Sequence, residues 1–436
     1  MTETPHYLIL TVGTTGDLHP MLSLAQALQA MGRPVTVLSH SIHGPRVAQL
    51  GLPFVGLGRE EDYEALLRNP DIWDARKSFA ALMGSGYREG LTELAAFFRG
   101  LPARRRHIVI SHPFLVPGAA MARAAGQVER VVAAYLAPSN LKSCADPLTI
   151  GPVAVPSWVP MSWRRAYWRF VERGWIDPVA LAQINPLRAA QGLAPVNSFL
   201  GHIAEAPDLS LLLFPAWFAA DAPDWPQPRI GGDFQLFEAS AAKPLEPALS
   251  RFLATGPKPL LFTAGTGNRH AKAFFAHALA ACAALGRRAL LLSQDRQQLP
   301  AQLPDWACWQ PYVPLAQLLG QVDAIVHHGG IGTSAEALRQ GTPQLITPFA
   351  WDQFDNGARL ARLGVARVLP ATRLNPRRLA SRLRDLLEDP AVPQHCARAA
   401  AHFAQCQAPQ LLCERMEAQL AAMGSAGQGF KRTPTP

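Results

Sequence analysis

Short apolar runs alternate with longer amphipathic segments along nearly the whole chain. The runs "HYLILTVG" (6–13), "PVTVLSH" (34–40), "HIVISHP" (107–113) and "DLSLLLFPA" (208–216) are typical of strands that are buried on both faces. The alternation restarts after residue 250 with "PLLFTAGT" (259–266), "RALLLS" (288–293), "DAIVHHGG" (323–330) and "PQLITP" (343–348). This pattern predicts an α/β protein with two Rossmann-like, doubly wound parallel-sheet domains that face a cleft.

The segments between these runs set the predicted domain limits. We expect a first domain over 1–235 and a second over 251–405, joined by an unstructured, proline-containing linker over 236–250. A C-terminal helix over 406–423 is expected to pack back on the first domain, and 424–436 to be disordered. The proline- and aromatic-rich stretch 144–170 is predicted to form loops and one amphipathic helix that line the cleft.

Composition narrows the functional classes only slightly. The chain has 436 residues and a formal net charge of +9, but its basic residues are mostly arginines scattered along helices, without a nucleic-acid-binding signature. The six cysteines include no CxxC pair, no apolar run is long enough to cross a bilayer, and the start lacks a signal peptide. We therefore expect a cytoplasmic protein without structural metal that binds no nucleic acid and whose positive charge attracts small anionic molecules or an anionic membrane surface.

The stretch "DAIVHHGGIGTSAEALRQG" (323–341) contains the strongest chemical signal. A strand ending at His328 runs through Gly330 and Gly332 into a helix, predicted to be capped by Thr333 or Ser334. Backbone N–H groups and the positive end of that helix would hold a diphosphate without a metal, with His328 as a further donor. Glu336, predicted on the first helical turn, would accept ribose hydroxyls. Farther on, "GTPQLITPFAWDQFDN" (341–356) brings Asp352 and Gln353 to the next strand end, where they would hold sugar hydroxyls.

A second turn, "VGTTGDLHP" (12–20), places Asp17 at a strand end and a helix start. From its position alone, Asp17 is a candidate cap of the following helix. His19 is expected to be structural.

The 323–356 run resembles the donor signature of GT-B nucleotide-sugar glycosyltransferases, a family that includes plant UDP-glycosyltransferases and bacterial macrolide, glycopeptide and sterol enzymes. The resemblance implies an inverting, metal-independent hexosyltransferase, with Asp17 in the position of the base in "GxRGDxxP". Asp17 is then either the base that takes a proton from the acceptor hydroxyl, which requires a raised pKa, or only the cap of its helix. His112 is a weaker candidate for the acceptor site. "YVPL" would place Tyr312 under the base and Val313 beside it, whereas "WQPY" offers Trp309 as the alternative. "TAGTGN" would add a phosphate contact through Gly265 and Thr266, although a tight turn alone also explains it.

Three further stretches are similar to the catalytic rhamnosyltransferases of rhamnolipid synthesis: "NPDIWDARKSF" (69–79), "LFPAWFAADAPDWPQP" (213–228) and "FDNGARLARLGVARVL" (354–369). This likeness implies dTDP-L-rhamnose as the donor and a 3-(3-hydroxyalkanoyloxy)alkanoate as the hydrophobic acceptor. Glu336 departs from these enzymes, in which that position is apolar, so the donor need not be the same.

Three alternatives accompany this reading. One is a UDP-glucose-dependent transferase that acts on a sterol, carotenoid or polyketide, and another is a non-catalytic GT-B partner protein. The third concerns localisation: "WRRAYWRFVERG" (163–174) would rest peripherally on the inner face of an anionic membrane, or else form an ordinary amphipathic surface helix.

Overall fold

The computed structural model describes residues 4–146, 149–150, 153–237 and 244–428 and contains two parallel sheets. The seven-stranded sheet of the first domain has the order β3-β2-β1-β4-β5-β8-β9. Its strands are β1 (His6–Leu10), β2 (Val35–His40), β3 (Phe54–Leu57), β4 (His107–Ser111), β5 (Arg130–Tyr135), β8 (Leu209–Leu212) and β9 (Arg229–Gly231). A small antiparallel pair, β6 (Thr149–Ile150) and β7 (Val153–Ala154), lies apart from it.

The second sheet has six strands in the order β12-β11-β10-β13-β14-β15. Its strands are β10 (Leu260–Thr263), β11 (Ala289–Leu292), β12 (Ala307–Gln310), β13 (Ala324–His327), β14 (Gln344–Ile346) and β15 (Ala366–Val368). Central strands such as β1 and β10 are buried along their apolar residues, as expected when helices cover both faces of a parallel sheet. The predicted architecture of two doubly wound domains is confirmed.

Helices pack on both faces of each sheet. In the first domain they are α1 (Thr15–Ala30), α2 (Gly44–Ala48), α3 (Glu60–Arg68), α4 (Ser78–Leu82), α5 (Ser85–Arg99), α6 (Val116–Ala124), α7 (Met161–Val171), α8 (Asp177–Ala189) and α9 (Phe199–Glu205). The remaining helices are α10 (Pro247–Ala254), α11 (Lys272–Leu285), α12 (Leu315–Leu318), α13 (Ile331–Arg339), α14 (Gln353–Arg362), α15 (Pro376–Leu387), α16 (Ala391–His402) and α17 (Pro409–Gln428).

Strand order in each sheet reverses at one switch point, where two neighbouring strands send their connections in opposite directions. In the first sheet this point lies between β1 and β4, and in the second it lies between β10 and β13. Ligands of open α/β sheets bind outside the carboxyl ends of the strands at such points. The turns that follow β1, β10 and β13 are the three glycine-containing turns singled out in the sequence.

The last helix, α17, returns to the first domain and packs against α1. Glu417 on α17 accepts a hydrogen bond from the Tyr7 hydroxyl at 2.6 Å, and its two oxygens pair with the Arg33 guanidinium at 2.8 Å each. Because α17 follows the second domain in sequence, its packing on the first domain links the two domains.

One prediction about irregular segments was wrong. The 236–250 segment is not wholly unstructured, because Pro247, which is favourable in the first turn of a helix, begins α10 inside it; residues 238–243 lie outside the described residues. The bounds of α17 extend to Gln428, residues 429–436 lie outside the described residues, and disorder of the tail stays a prediction. Within the described ranges, no helix is both long and apolar enough to cross a membrane.

Candidate active site

The turn after β1 is organised by a capping box. Thr14 is the N-cap of α1; its side-chain oxygen accepts from the Gly16 N–H, and its own N–H donates to Asp17 Oδ2 at 2.8 Å. Gly13 has a φ of 101°, and a Cβ there would lie 2.3 Å from Asp17 Oδ2, so only glycine fits. Asp17 therefore takes part in the cap of α1 through its Oδ2 atom.

Burial changes the acidity of Asp17. Desolvation raises its pKa from 3.8 to about 6, although the hydrogen bonds from Thr14 oppose the rise. A carboxylate with this pKa accepts a proton more readily than a free aspartate does. Because the Thr14 N–H occupies Oδ2, Oδ1 is the oxygen that remains for a substrate proton. The cap and base interpretations are thus compatible within one side chain.

At the second switch point, the His328 imidazole lies between two glycines. A Cβ on Gly265 would lie 2.7 Å from His328 Cε1, and one on Gly330 would lie 2.4 Å from its Nε2. The glycine turns therefore leave room for the ring as well as for a ligand. Among the described residues no group hydrogen-bonds the buried Nδ1 of His328. Burial lowers the pKa of His328 to about 4, so the ring is neutral at neutral pH and offers a hydrogen bond rather than a charge.

His327 has a different environment. It is fully buried, its Nδ1 accepts from the Gly329 N–H at 3.1 Å, and its Nε2 lies 3.0 Å from the Gln344 side-chain oxygen. Both ring nitrogens are satisfied within the protein, so His327 is a packing residue.

Helix α13 begins earlier than predicted. Its N-cap is Gly330, and neither Thr333 nor Ser334 caps it, because both lie inside the first turns. The Ser334 side chain is fully buried and its hydroxyl donates to the Gly330 carbonyl at 3.0 Å, so it is withdrawn from the cleft. What α13 offers an anion is its backbone: the N–H groups of Gly332 and Thr333 have no earlier turn to bond to.

Glu336 also lies farther along α13 than predicted. It is on the second turn rather than the first, and its Oε2 accepts from Arg339 at 2.8 Å. Any contact between Glu336 and ribose hydroxyls would therefore involve a carboxylate that already pairs with Arg339, and this contact stays a prediction.

The two candidate rings for the nucleobase differ in exposure. Tyr312 is 46% exposed, and Val313 beside it is buried. Trp309 is partly buried; its Nε1 donates to the Ser293 carbonyl at 2.9 Å, and the Arg296 guanidinium covers its ring. Tyr312 is the ring open to a ligand, and stacking on it stays a prediction.

The "AWDQ" turn has a more restricted role than predicted for Gln353. The side-chain oxygen of Gln353 accepts from the Phe349 and Ala350 N–H groups at 2.8 and 3.1 Å, so only its amide nitrogen remains for a sugar hydroxyl. Asp352 Oδ2 accepts from Asn356 Nδ2 at 2.7 Å. Burial, and then the nearby charge of Asp17, raise the pKa of Asp352 to about 7.

Two residues of this site were missed in the sequence. Asn356 donates to both Asp352 Oδ2 and the Gly329 carbonyl, at 2.7 and 2.9 Å, and so joins the "AWDQ" turn to the glycine turn that follows β13. Its spacing of four residues from Asp352 on one helix is the only signal that the sequence offers. Trp351 has a φ of 60° and its Nε1 donates to the Ile72 carbonyl of the first domain at 3.0 Å.

Several contacts hold the two domains together across the cleft. Arg269 Nη2 lies 2.9 Å from Glu64 Oε1, and a Cβ on Gly267 would lie 2.8 Å from the Thr14 methyl group. The Asp17 turn and the Gly265–Thr266 turn are therefore neighbours. Within the described part of the chain, no group of three or more His, Cys, Asp or Glu side chains could hold a metal ion.

A cavity of about 500 Å³ opens in the first domain beside this cleft. Its walls are largely apolar and include Leu141, Met161 and Leu200, with the Arg165 guanidinium among them. The loop that forms one wall continues to Asp146, which pairs with Arg359 of the second domain. The cavity therefore adjoins the interface between the domains.

Comparison with known proteins agrees with this geometry. Residues 278–419 match the family described as "Erythromycin biosynthesis protein CIII-like, C-terminal domain". The O-mycaminosyltylonolide 6-deoxyallosyltransferase of Streptomyces fradiae is 28% identical over 408 residues, which cover 89% of this chain and 92% of that protein.

Solved structures share the whole architecture. The glycotransferase of kitacinnamycin has a TM-score of 0.70 at 21% identity, covering 96% of this chain and 100% of its own. Spinosyn rhamnosyltransferase SpnG, in a complex with thymidine diphosphate, has a TM-score of 0.65 at 19% identity, covering 95% and 100%.

Two Rossmann-like domains whose switch points face each other across a cleft define the GT-B class, and the chain is a glycosyltransferase of that class. Within that class, its sequence is similar to those of macrolide- and glycopeptide-type enzymes.

Proposed function

We propose that this glycosyltransferase moves L-rhamnose from dTDP-L-rhamnose to the free hydroxyl of a 3-(3-hydroxyalkanoyloxy)alkanoate, with inversion at the anomeric carbon and without a metal. The observation that carries the proposal is the meeting of the two switch points. Asp17 lies close enough to Asp352 to raise its pKa, and the unpaired His328 nitrogen belongs to the same cleft. An acceptor base, a sugar contact and a diphosphate contact are thus assembled from two domains.

Each step of the displacement has a residue to support it. The acceptor oxygen attacks the anomeric carbon while the bond from that carbon to the diphosphate oxygen breaks, and the hydroxyl proton passes to Asp17 Oδ1. The departing diphosphate gains negative charge, which His328 and the α13 N–H groups stabilise by hydrogen bonding. A donor bound there would restore a partner to the buried His328 Nδ1.

The donor assignment is supported by a structural neighbour and by Asp352 of the "AWDQ" turn. The spinosyn rhamnosyltransferase binds thymidine diphosphate, and its fold aligns over nearly this whole chain. With its raised pKa, Asp352 accepts hydroxyl protons as a carboxylate at alkaline pH and donates one as a carboxylic acid below about pH 7.

The acceptor assignment is supported by the cavity of the first domain. Its apolar walls suit acyl chains, and Arg165 suits the carboxylate of a hydroxyalkanoyl acid. The only other cation on its walls, Lys142, is already paired with Glu172 at 2.7 Å.

A second candidate is transfer of a sugar, from UDP-glucose or another donor, to a polyketide, carotenoid or sterol hydroxyl. The similarity to the S. fradiae macrolide enzyme over nearly the whole chain favours it. The same cavity is large enough for part of such an acceptor.

A transfer assay read by mass spectrometry separates these functions. Purified protein is offered dTDP-L-rhamnose, dTDP-glucose or UDP-glucose with a hydroxyalkanoyloxy acid, a macrolide aglycone or a sterol, and Asp17→Asn protein is the control. We expect the rhamnosylated acid as the main product. Glycosylation of the aglycone or sterol alone would establish the second candidate. No product with any pair, but stimulation of another transferase, would identify a non-catalytic partner.

A further inference from the structure

One short segment carries most of the exposed apolar surface. Eight large apolar side chains are exposed among the described residues, and six of them lie between 153 and 175. They are Val153, Trp158, Met161, Trp163, Phe170 and Trp175, and Trp158 and Trp163 are 80% and 70% exposed. Contiguous apolar patches of this kind mark interaction surfaces.

The packing of α7 explains why these rings point outward. Trp168 and Val171 are buried beneath the helix, and the Trp168 indole N–H donates to the Ser143 carbonyl at 2.7 Å. Trp163 and Phe170 are seven residues apart and so share another face of the helix, which is exposed. Phe170 also meets Trp175 edge to face at 5.8 Å, which extends the aromatic surface past the end of the helix.

Cationic groups accompany these rings. Arg169 and Arg173 flank Phe170 around a shallow groove of about 450 Å³, and neither forms an ion pair with any described residue. The one carboxylate between 158 and 175, Glu172, is buried and pairs with Lys142. Between 158 and 175, the outward surface therefore presents aromatic rings and guanidinium groups, and the single carboxylate of this stretch is buried.

We propose that this aromatic–arginine face, formed by Trp158, Trp163, Phe170, Trp175, Arg169 and Arg173, docks on an anionic phospholipid bilayer. Tryptophan rings settle at the headgroup level, and arginines beside them meet lipid phosphates. A second copy of the chain is a poor occupant, because it would bring the same arginines against one another. The chain's net charge of +9 favours the same anionic partner.

Docking in this orientation has a consequence for the acceptor, which rests on the proposed function. Met161 and Arg165 of the same helix line the apolar cavity. A bilayer at the aromatic–arginine face would therefore bring lipid beside the cavity, and an amphipathic acceptor dissolved in the membrane would enter from its edge.

The test is co-sedimentation of the full chain with phosphatidylcholine vesicles, with and without phosphatidylglycerol. We expect binding only when phosphatidylglycerol is present, and weaker binding at high salt. The triple variant W163A/F170A/W175A should lower the vesicle partition coefficient at least tenfold. R169Q/R173Q should lower it by roughly fivefold per arginine, at low salt only.

Matched controls use exposed residues elsewhere. L411A removes an exposed apolar side chain from α17, and R377Q/R398Q removes two exposed arginines from α15 and α16. These variants should bind as the wild type does. All variants should keep transfer to an acceptor presented in solution, so loss of vesicle binding is separate from failure of the proposed function.

Two results would overturn the proposal. One is wild-type protein that stays in the supernatant with phosphatidylglycerol vesicles, or aromatic variants that bind them unchanged. The other is a wild-type dimer in analytical ultracentrifugation that the triple variant converts to a monomer without vesicle binding by either form, which would make the face a protein–protein interface.

Discussion

Replacing Asp17 with asparagine separates the two roles that the structure combines in this side chain. The asparagine oxygen can still accept the Thr14 N–H bond, which is 2.8 Å long in the wild type, so the cap of α1 survives. What is lost is the carboxylate that takes the acceptor proton. General-base catalysis typically contributes about 10²–10⁴-fold, so the turnover rate should fall by that factor.

Stability should change in the opposite direction. The folded pKa of Asp17, about 6, lies above the unfolded value of 3.8. The wild type therefore has the full contribution of this group below the unfolded pKa and loses it as the pH rises through about 6. That difference corresponds to at most about 3 kcal/mol at pH 7. Asparagine carries no charge at any pH, so D17N should melt at or above the wild-type Tm at pH 7 and show no advantage near pH 4.

Three measurements test this reasoning: initial transfer rates by mass spectrometry, thymidine diphosphate affinity by calorimetry, and Tm by scanning calorimetry at two pH values. Wild-type kcat/KM should rise with pH through about 6, and D17N should lack that rise. D17A serves as the comparison, because it removes the cap as well and should cost about 1 kcal/mol relative to D17N. Transfer by D17N at the wild-type rate would refute the base assignment. A D17N protein that melts far below the wild type would show that the capping geometry needs the charge.

Four other substitutions probe the donor side of the cleft and the docking of α17 on the first domain. His328→Ala removes the unpaired imidazole, and we expect kcat to fall about 10²–10³-fold, measured in the same transfer assay, with the fold intact by circular dichroism. Tyr312→Ala should weaken thymidine diphosphate binding about tenfold in calorimetry, whereas Trp309→Ala should lower Tm and leave affinity nearly unchanged; the reverse result would assign stacking to Trp309. Glu417→Gln weakens the pairing with Arg33 and should cost about 1–3 kcal/mol, read from the midpoint of denaturant unfolding; an unchanged midpoint would mean that α17 is held by apolar contacts alone.

The sequence predicted the parts of this molecule that depend on local patterning. Apolar runs such as "LIL" in β1 and "LLF" in β10 define strands covered on both faces, and glycine turns after them define the switch-point loops. His328 and Asp17 were identifiable because a polar side chain directly after a buried strand lies at the carboxyl edge of the sheet.

The parts that the sequence did not predict depend on hydrogen bonds formed only in the folded chain. The Ser334 hydroxyl bonds to a backbone carbonyl of its own turn, and backbone N–H groups take the side-chain oxygen of Gln353, which leaves only its amide nitrogen for a ligand. Trp351 donates its indole N–H to the carbonyl of Ile72 in the other domain, and no local sequence pattern predicts such a partner. The same holds for Asn356, because its two hydrogen bonds, to Asp352 and to Gly329, form only when two turns that follow different strands meet.

The crossing of α17 onto the first domain also bears on how the protein is made. Tyr7 and Arg33 are synthesised long before their partner Glu417, from which they are separated by 410 and 384 residues. Part of the helical surface of the first domain therefore stays uncovered until translation has passed residue 417. A nascent chain stalled before residue 409 would contain both sheets but lack α17, the helix that packs on the first domain. Chains truncated at that point should therefore bind chaperones more strongly than the chain that includes α17.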